Sequence, residues 1–248
     1  MPVADQDPST STDDTFEIVP GTYDFIARAD GYGAKRFTAT FRPGQVRDLP
    51  VNLARNVASL HNGATATGDG VNLDKLIDDT EATNWASREG AVQGKQVTVE
   101  LDPSKSSHQV RRVQVSAMLR PAITGDPDPG TKNRYSALRQ FEIFTCLETA
   151  AVDCTEDADF EVVLTSADDA FPSVAPRPRA PELILREFEV ERSRATHVRL
   201  VVLHNQCTGG PDYQGDQDDD DRHNTDCDEG STQGTFVRAA ELQVFSNR

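Results

Sequence analysis

The hardest oxygen donors of this chain gather in two places far apart in sequence. Between Asn72 and Ser87 a turn-rich segment carries the Asp78 carboxylate and, five residues on, the Thr83 hydroxyl, among backbone carbonyls that a bent loop turns outward. Near the C-terminus a second carboxylate, Glu241, follows Ala240 on an apolar, strand-like run. Carboxylates, a hydroxyl and carbonyls crowded on a turn suit calcium, which accepts six to eight oxygens in flexible geometry. The competing reading is that Asp78 and Thr83 only cap a turn by bonding to nearby backbone. Catalytic signatures are missing. No His is followed by Glu as the His-Glu-x-x-His zinc motif requires, and there is no Gly-x-Ser-x-Gly elbow, P-loop or Gly-x-Gly-x-x-Gly. The chain reads as non-enzymatic.

A second acidic feature is the stretch from Asp212 to Glu229, with nine acidic residues and a single Arg222. Crowded carboxylates can take a cation, but the offsets of an EF-hand are absent, and a solvated acidic loop is the simpler reading. Trp85 is the only tryptophan. Its place between Asn84 and Ala86, just after the turn, reads as a core plug with its indole N–H bonded inside rather than as a stacking surface. The four cysteines fall into local pairs, Cys146 with Cys154 and Cys207 with Cys227, and neither pair has the Cys-x-x-Cys spacing of zinc or redox sites. Disulfides, an oxidising compartment and a secreted, extracellular protein follow from that usage.

The elements that position these groups are short and extended. Alternating apolar runs occur at Phe16 to Val19, Tyr23 to Ala29, Lys35 to Phe41, Val46 to Leu53, Val97 to Leu101, Val113 to Val115 and Phe141 to Phe144. They continue at Phe160 to Leu164, Ile184 to Val190, Val198 to Leu203 and Phe236 to Phe245, with Pro-Gly and Asp-Gly punctuation between. Helical period is never sustained; at most Leu73 to Ile77 makes a turn. The fold class is therefore all-β, a jelly-roll β-sandwich with a small antiparallel sheet at the N-terminus. Three segments are expected: a disordered linker over 1–15, a small partial β-module over 16–54, and the sandwich over 55–248. Leu, Ile, Val and Phe make up 54 of 248 residues, just above the one-fifth below which a charged chain stays unfolded. The core is thin, and disulfides supplement it.

The pattern Ile77-Asp78-x-x-x-x-Thr83-x-Trp85, the strand Thr196-His197-Val198-Arg199-Leu200 and the closing Ala240-Glu241-Leu242-x-Val244 together resemble F5/8 type C domains. These are discoidin-like, galactose-binding-like modules, and the resemblance spans about 55 to 248. It implies a structural calcium ion that staples the two chain ends, held by the carbonyls of Lys75, Thr80, Thr83 and Ala240, the Thr83 hydroxyl, and the carboxylates of Asp78 and Glu241. It also implies a ligand site in the loops at one end of the sandwich, with Arg88, Arg120, Asn133, Arg134, Tyr135, His204 and Asn205 as candidates. An arginine fork and an amide match vicinal sugar hydroxyls. The run Pro20-Gly21-Thr22-Tyr23 with Ala29-Asp30-Gly31-Tyr32 resembles the end of a carboxypeptidase-regulatory-like or PEGA-like β-module. The combination resembles C-terminal regions of secreted fungalysin-type metallopeptidases.

A formal net charge of −16 argues against nucleic acid and anionic membranes as partners. The expected partner is a carbohydrate or glycoprotein surface, bound without catalysis. The alternative is a protein-interaction, exosite or architectural domain attached to a catalytic domain in the parent chain.

Overall fold

The computed structural model describes residues 18–119, 134–174, 178–210, 227 and 232–246. The strands are β1 (Gly21–Ala27), β2 (Lys35–Phe41), β3 (Thr65–Gly68), β4 (Trp85–Ala86), β5 (Gln96–Glu100) and β6 (His108–Ser116). They continue with β7 (Leu138–Cys146), β8 (Glu161–Thr165), β9 (Arg186–Ala195), β10 (His197–Asn205), β11 (Arg238–Ala239) and β12 (Glu241–Phe245). The described helices are single turns, α1 (Ala180–Leu183) and α2 (Gln206–Gly209), with short 3-10 turns such as Leu73–Leu76.

A five-stranded sheet in the order β3-β5-β10-β7-β8 faces a three-stranded sheet in the order β12-β6-β9, and β4 with β11 forms a separate two-stranded sheet, with a further bridge from Ala86 to Val71. Among the described residues every pairing between these strands is antiparallel, and one isolated bridge, Ala137 to Arg238, is parallel. This is the antiparallel β-sandwich that the alternating runs predict. Val198, Leu200 and Val202 of β10 are fully buried, as are Val97 and Val99 of β5 and Phe141 and Ile143 of β7. They meet Val113, Val115, Leu242 and Val244 from the other sheet in one core cluster, which alternation on facing strands produces. Along β6 the register against β9 shifts between Val110 and Arg112, and Val110 and Val113, three apart in sequence, both end fully buried. Both cysteine pairs close as their spacing predicts, with Cα separations of 5.8 Å for Cys146–Cys154 and 5.4 Å for Cys207–Cys227.

The N-terminal module differs from expectation. Strands β1 and β2 form a hairpin in full register from Gly21 opposite Phe41 to Ala27 opposite Lys35. The run from Val46 to Leu53 forms no strand, and Val46 is 97% exposed. Pro50 lies inside that run and has no N–H to give a ladder. Ile18 and Val19 likewise stay outside strands. The expected linker over 1–15 and the acidic stretch, save Cys227, lie outside the described residues.

Candidate functional site

The turn that carries Asp78 is held at both ends by buried apolar anchors. Leu76 and Ile77 are fully buried below it, and the Ile77 carbonyl accepts the Leu60 N–H at 2.8 Å. Trp85 closes the far end, fully buried, its indole Nε1–H donating to the Asp69 carbonyl at 2.7 Å. Residues 78–84 must therefore bend between fixed points, and Asp79 does so in the left-handed region at φ 61°, which aspartate tolerates better than most residues. Within the bend the Thr83 hydroxyl lies 2.9 and 3.0 Å from the two Asp78 carboxylate oxygens and 3.5 Å from the Lys75 carbonyl. The Lys75 ammonium stands 3.6 Å from Asp78. Burial pushes the Asp78 pKa up, against the hydrogen bond from Thr83 and the charge of Lys75.

Glu241, first residue of β12, projects its carboxylate into the same region. It is 1% exposed, and its Oε2 accepts the Thr80 N–H at 3.1 Å. Its Oε1 is buried with no hydrogen-bond partner. Burial drives the Glu241 pKa well above the usual carboxylate range, and the nearby Asp79 and Asp78 carboxylates raise it further, against backbone hydrogen bonding from Thr80 and Asp79. A buried carboxylate with an orphaned oxygen beside two more carboxylates is a place where a dication relieves both desolvation and repulsion. The donors are all hard oxygens, as calcium prefers. Among the described residues no group of three or more His, Cys, Asp or Glu side chains is arranged around a metal. An ion held here would draw on two carboxylates and on main-chain carbonyls. Lys75, Asp78, Thr80 and Thr83 share one bend, Thr80 is bonded to Glu241, and Ala240 is pinned beside it by its N–H bond to the Ser116 carbonyl at 2.8 Å.

Sequence reasoning missed the side chains that face the other way from the same bend. Asp79, 5% exposed, accepts hydrogen bonds from the Gly31 N–H at 2.7 Å, from Asn56 Nδ2 at 2.9 Å and from the Ser59 hydroxyl, and pairs with His61 Nδ1 at 3.0 Å. Glu81 accepts from the Ser116 hydroxyl and the Leu185 N–H, each at 2.7 Å, and pairs with Arg36. No local spacing signals such partners, because they come from segments 18 or more positions away. The one available signal is the run Asp78-Asp79-Thr80-Glu81 itself, too acidic to be a plain surface turn.

The proposed ligand residues that the structure describes lie at one end of the sandwich, where β5 begins, β10 ends and β7 begins. Arg88 and Arg134 are exposed there, and His204 is half-buried. The backbone of Arg88 is fixed by Asp69 Oδ1 at 3.1 Å, and its neighbour Ser87 donates N–H to the Val237 carbonyl at 2.9 Å. Two candidates are corrected. Asn205 is fully buried and spent on structure: its Oδ1 caps α2 through the Thr208 N–H at 2.7 Å, and its Nδ2 donates to the Gln233 and Phe236 carbonyls, each at 2.7 Å. Tyr135 is 2% exposed and offers no face to a ligand. Arg120 and Asn133 lie outside the described residues.

No protein-family model and no curated protein matches this chain. Solved structures do align with it. CpGH89CBM32-5 from Clostridium perfringens, in complex with GalNAc-beta-1,3-galactose, is 19% identical over 77% of this chain and 99% of its own, with a TM-score of 0.39. CBM32-3 from a family 31 glycoside hydrolase of Clostridium perfringens is 14% identical over 74% and 88%, with a TM-score of 0.45. The CBM32 of AlyQ, in complex with 4,5-unsaturated mannuronic acid, is 14% identical over 74% and 94%, with a TM-score of 0.41.

Proposed function

We propose that this chain is a non-catalytic binding module of a secreted protein, presenting one loop end to a carbohydrate or glycoconjugate surface while calcium staples its two chain ends. The observation that supports the binding role is the position of Arg88, Arg134 and His204 at one end of the sandwich, with Arg88 and Arg134 exposed and His204 half-buried. Guanidinium forks and an imidazole recognise hydroxyl pairs and acidic sugar groups by directed hydrogen bonds. Tethering such a module to an enzyme raises the effective concentration of that enzyme at its target without chemistry of its own. What supports the staple is the orphaned oxygen of buried Glu241 beside Asp78. Calcium bound there supplies charge compensation. Asp78 and Glu241 are its carboxylate ligands, and Lys75, Thr80, Thr83 and Ala240 orient their carbonyls to complete the shell.

A glycan array tests the binding role, with the wild-type chain beside Arg134→Ala and His204→Ala. Specific hits that both replacements weaken at least tenfold, with unchanged circular dichroism, support it. An empty array, or hits indifferent to both replacements, overturns it. The second reading is contact with a protein, such as an attached secreted metallopeptidase catalytic domain. It is favoured by the hairpin's row of half-buried rings, Tyr23, Phe25, Phe37 and Phe41, in which Phe25 stacks on Phe37 at 5.4 Å.

A further inference from the structure

Three consecutive residues of the ligand-bearing bend each send a side chain into the N-terminal hairpin or the turn that follows its first strand. The Asp79 carboxylate accepts the Gly31 N–H at 2.7 Å. The Thr80 hydroxyl accepts from the Arg28 guanidinium at 3.0 Å, and Glu81 pairs with Arg36. The backbone of the same bend faces inward, where the Thr80 N–H donates to Glu241. Shifting these side chains therefore moves the carbonyls between them.

The hairpin also rests on the other half of the site. The Ala34 N–H donates to Gln243 Oε1 at 3.1 Å, two residues along from Glu241. At Gly33 the approach is so close that an added Cβ would lie 2.2 Å from the Phe245 ring. A small void of about 10 Å³, room for one water-sized occupant, is walled by Ile26, Arg28 and Ala34 on one side and by Thr80, Glu81 and Glu241 on the other. The hairpin thus touches both pieces of chain that an ion would join.

We propose that the β1–β2 hairpin is the outer wall of the cation site, with Arg28 and Arg36 as positioning residues for the bend, so that calcium affinity and hairpin docking are thermodynamically linked. This rests on the cation reading above. The hairpin holds the side chains of Asp79, Thr80 and Glu81, and so the path of the bend that carries the Thr80 and Thr83 carbonyls, and the ion in turn fixes the surface on which the hairpin lies. Linkage is reciprocal: whatever factor docking adds to calcium affinity, calcium adds to docking.

A charge-neutral wedge tests this. In the intact chain Gly33→Val places a side chain against Phe245 and lifts the hairpin without altering any carboxylate or arginine. Calcium titration calorimetry and hydrogen exchange over residues 21–41 are read on the wild type, on Gly33→Val and on the milder Arg36→Gln, which breaks only an exposed ion pair. The expected results are calcium-dependent slowing of exchange across 21–41 in the wild type, and calcium affinity lowered about tenfold in Gly33→Val and severalfold in Arg36→Gln. Should Gly33→Val fail to fold, Arg36→Gln carries the test. Equal calcium affinity in all folded chains, with hairpin exchange indifferent to calcium, overturns the linkage and leaves the cation site standing. A wild-type chain that takes up no calcium overturns the cation reading first.

Discussion

Asp102 shows how a single carboxylate welds the far end of this sandwich. Its side chain is 2% exposed, its Oδ1 accepts the Ser104 N–H at 2.8 Å, and its Oδ2 accepts the Arg55 guanidinium at 2.8 Å. Burial by itself raises its pKa, but the hydrogen bonds from Ser104 and Arg55 override it and hold the value at about 2. A folded-state pKa below the unfolded one means stability that is complete above about pH 4 and lost as pH falls towards 2. Asp102→Asn is therefore expected to cost about 2 kcal/mol at pH 7 and almost nothing at pH 2, read by urea denaturation at both. Asn205 teaches the opposite lesson about side chains named from sequence. It looked like a sugar-binding amide, yet Thr208 three residues on already spelled a helix cap, and the core claims both ends of the amide. Arg88 and Arg134 stay exposed, as long charged side chains on loops do, with the Arg134 guanidinium donating to the Pro178 carbonyl at 3.5 Å.

At the scale of elements, alternation was enough wherever a strand buries one face. Val97 with Val99, and Val198 with Leu200 and Val202, read as strands and are strands. It failed where the pattern was right but the backbone chemistry was not, as in the Val46 to Leu53 run broken by Pro50. It was silent for β4, and it read β11 only as part of the run Phe236 to Phe245, because two residues are too few to show any period of their own. The bend at 72–84 was legible as a turn, but not the fact that its outer side chains bind the hairpin, since those contacts reach 45 to 52 positions away. The Cys146–Cys154 link closes the loop that joins β7 to β8, next to the small cluster of Phe160, Phe144 and Val152. Replacing both cysteines by serine is expected to lower stability by about 2 to 3 kcal/mol, measured by urea denaturation, through the freedom returned to the unfolded chain.

At the scale of the whole molecule, a thin core, two disulfides and a proposed ion together make one stable platform. Repulsion within a chain of net charge −16 works against compactness. The fold concentrates part of that charge at Asp78, Asp79, Glu81 and Glu241, where strands from both termini converge, and answers it with Arg28, Arg36 and the proposed dication. The arginine pairs were unreadable in sequence because only the folded topology brings the hairpin to that bend. Thermal melting of the intact chain at neutral pH, in millimolar calcium and in chelator, beside Glu241→Gln, tests the staple most directly. For a micromolar site the staple predicts a gain of about 4 kcal/mol, a rise of roughly 10 °C in the wild type. It also predicts no calcium response in Glu241→Gln, which in chelator melts no lower than the wild type because it buries no charge. A wild-type melting temperature that is the same in calcium and in chelator would contradict it.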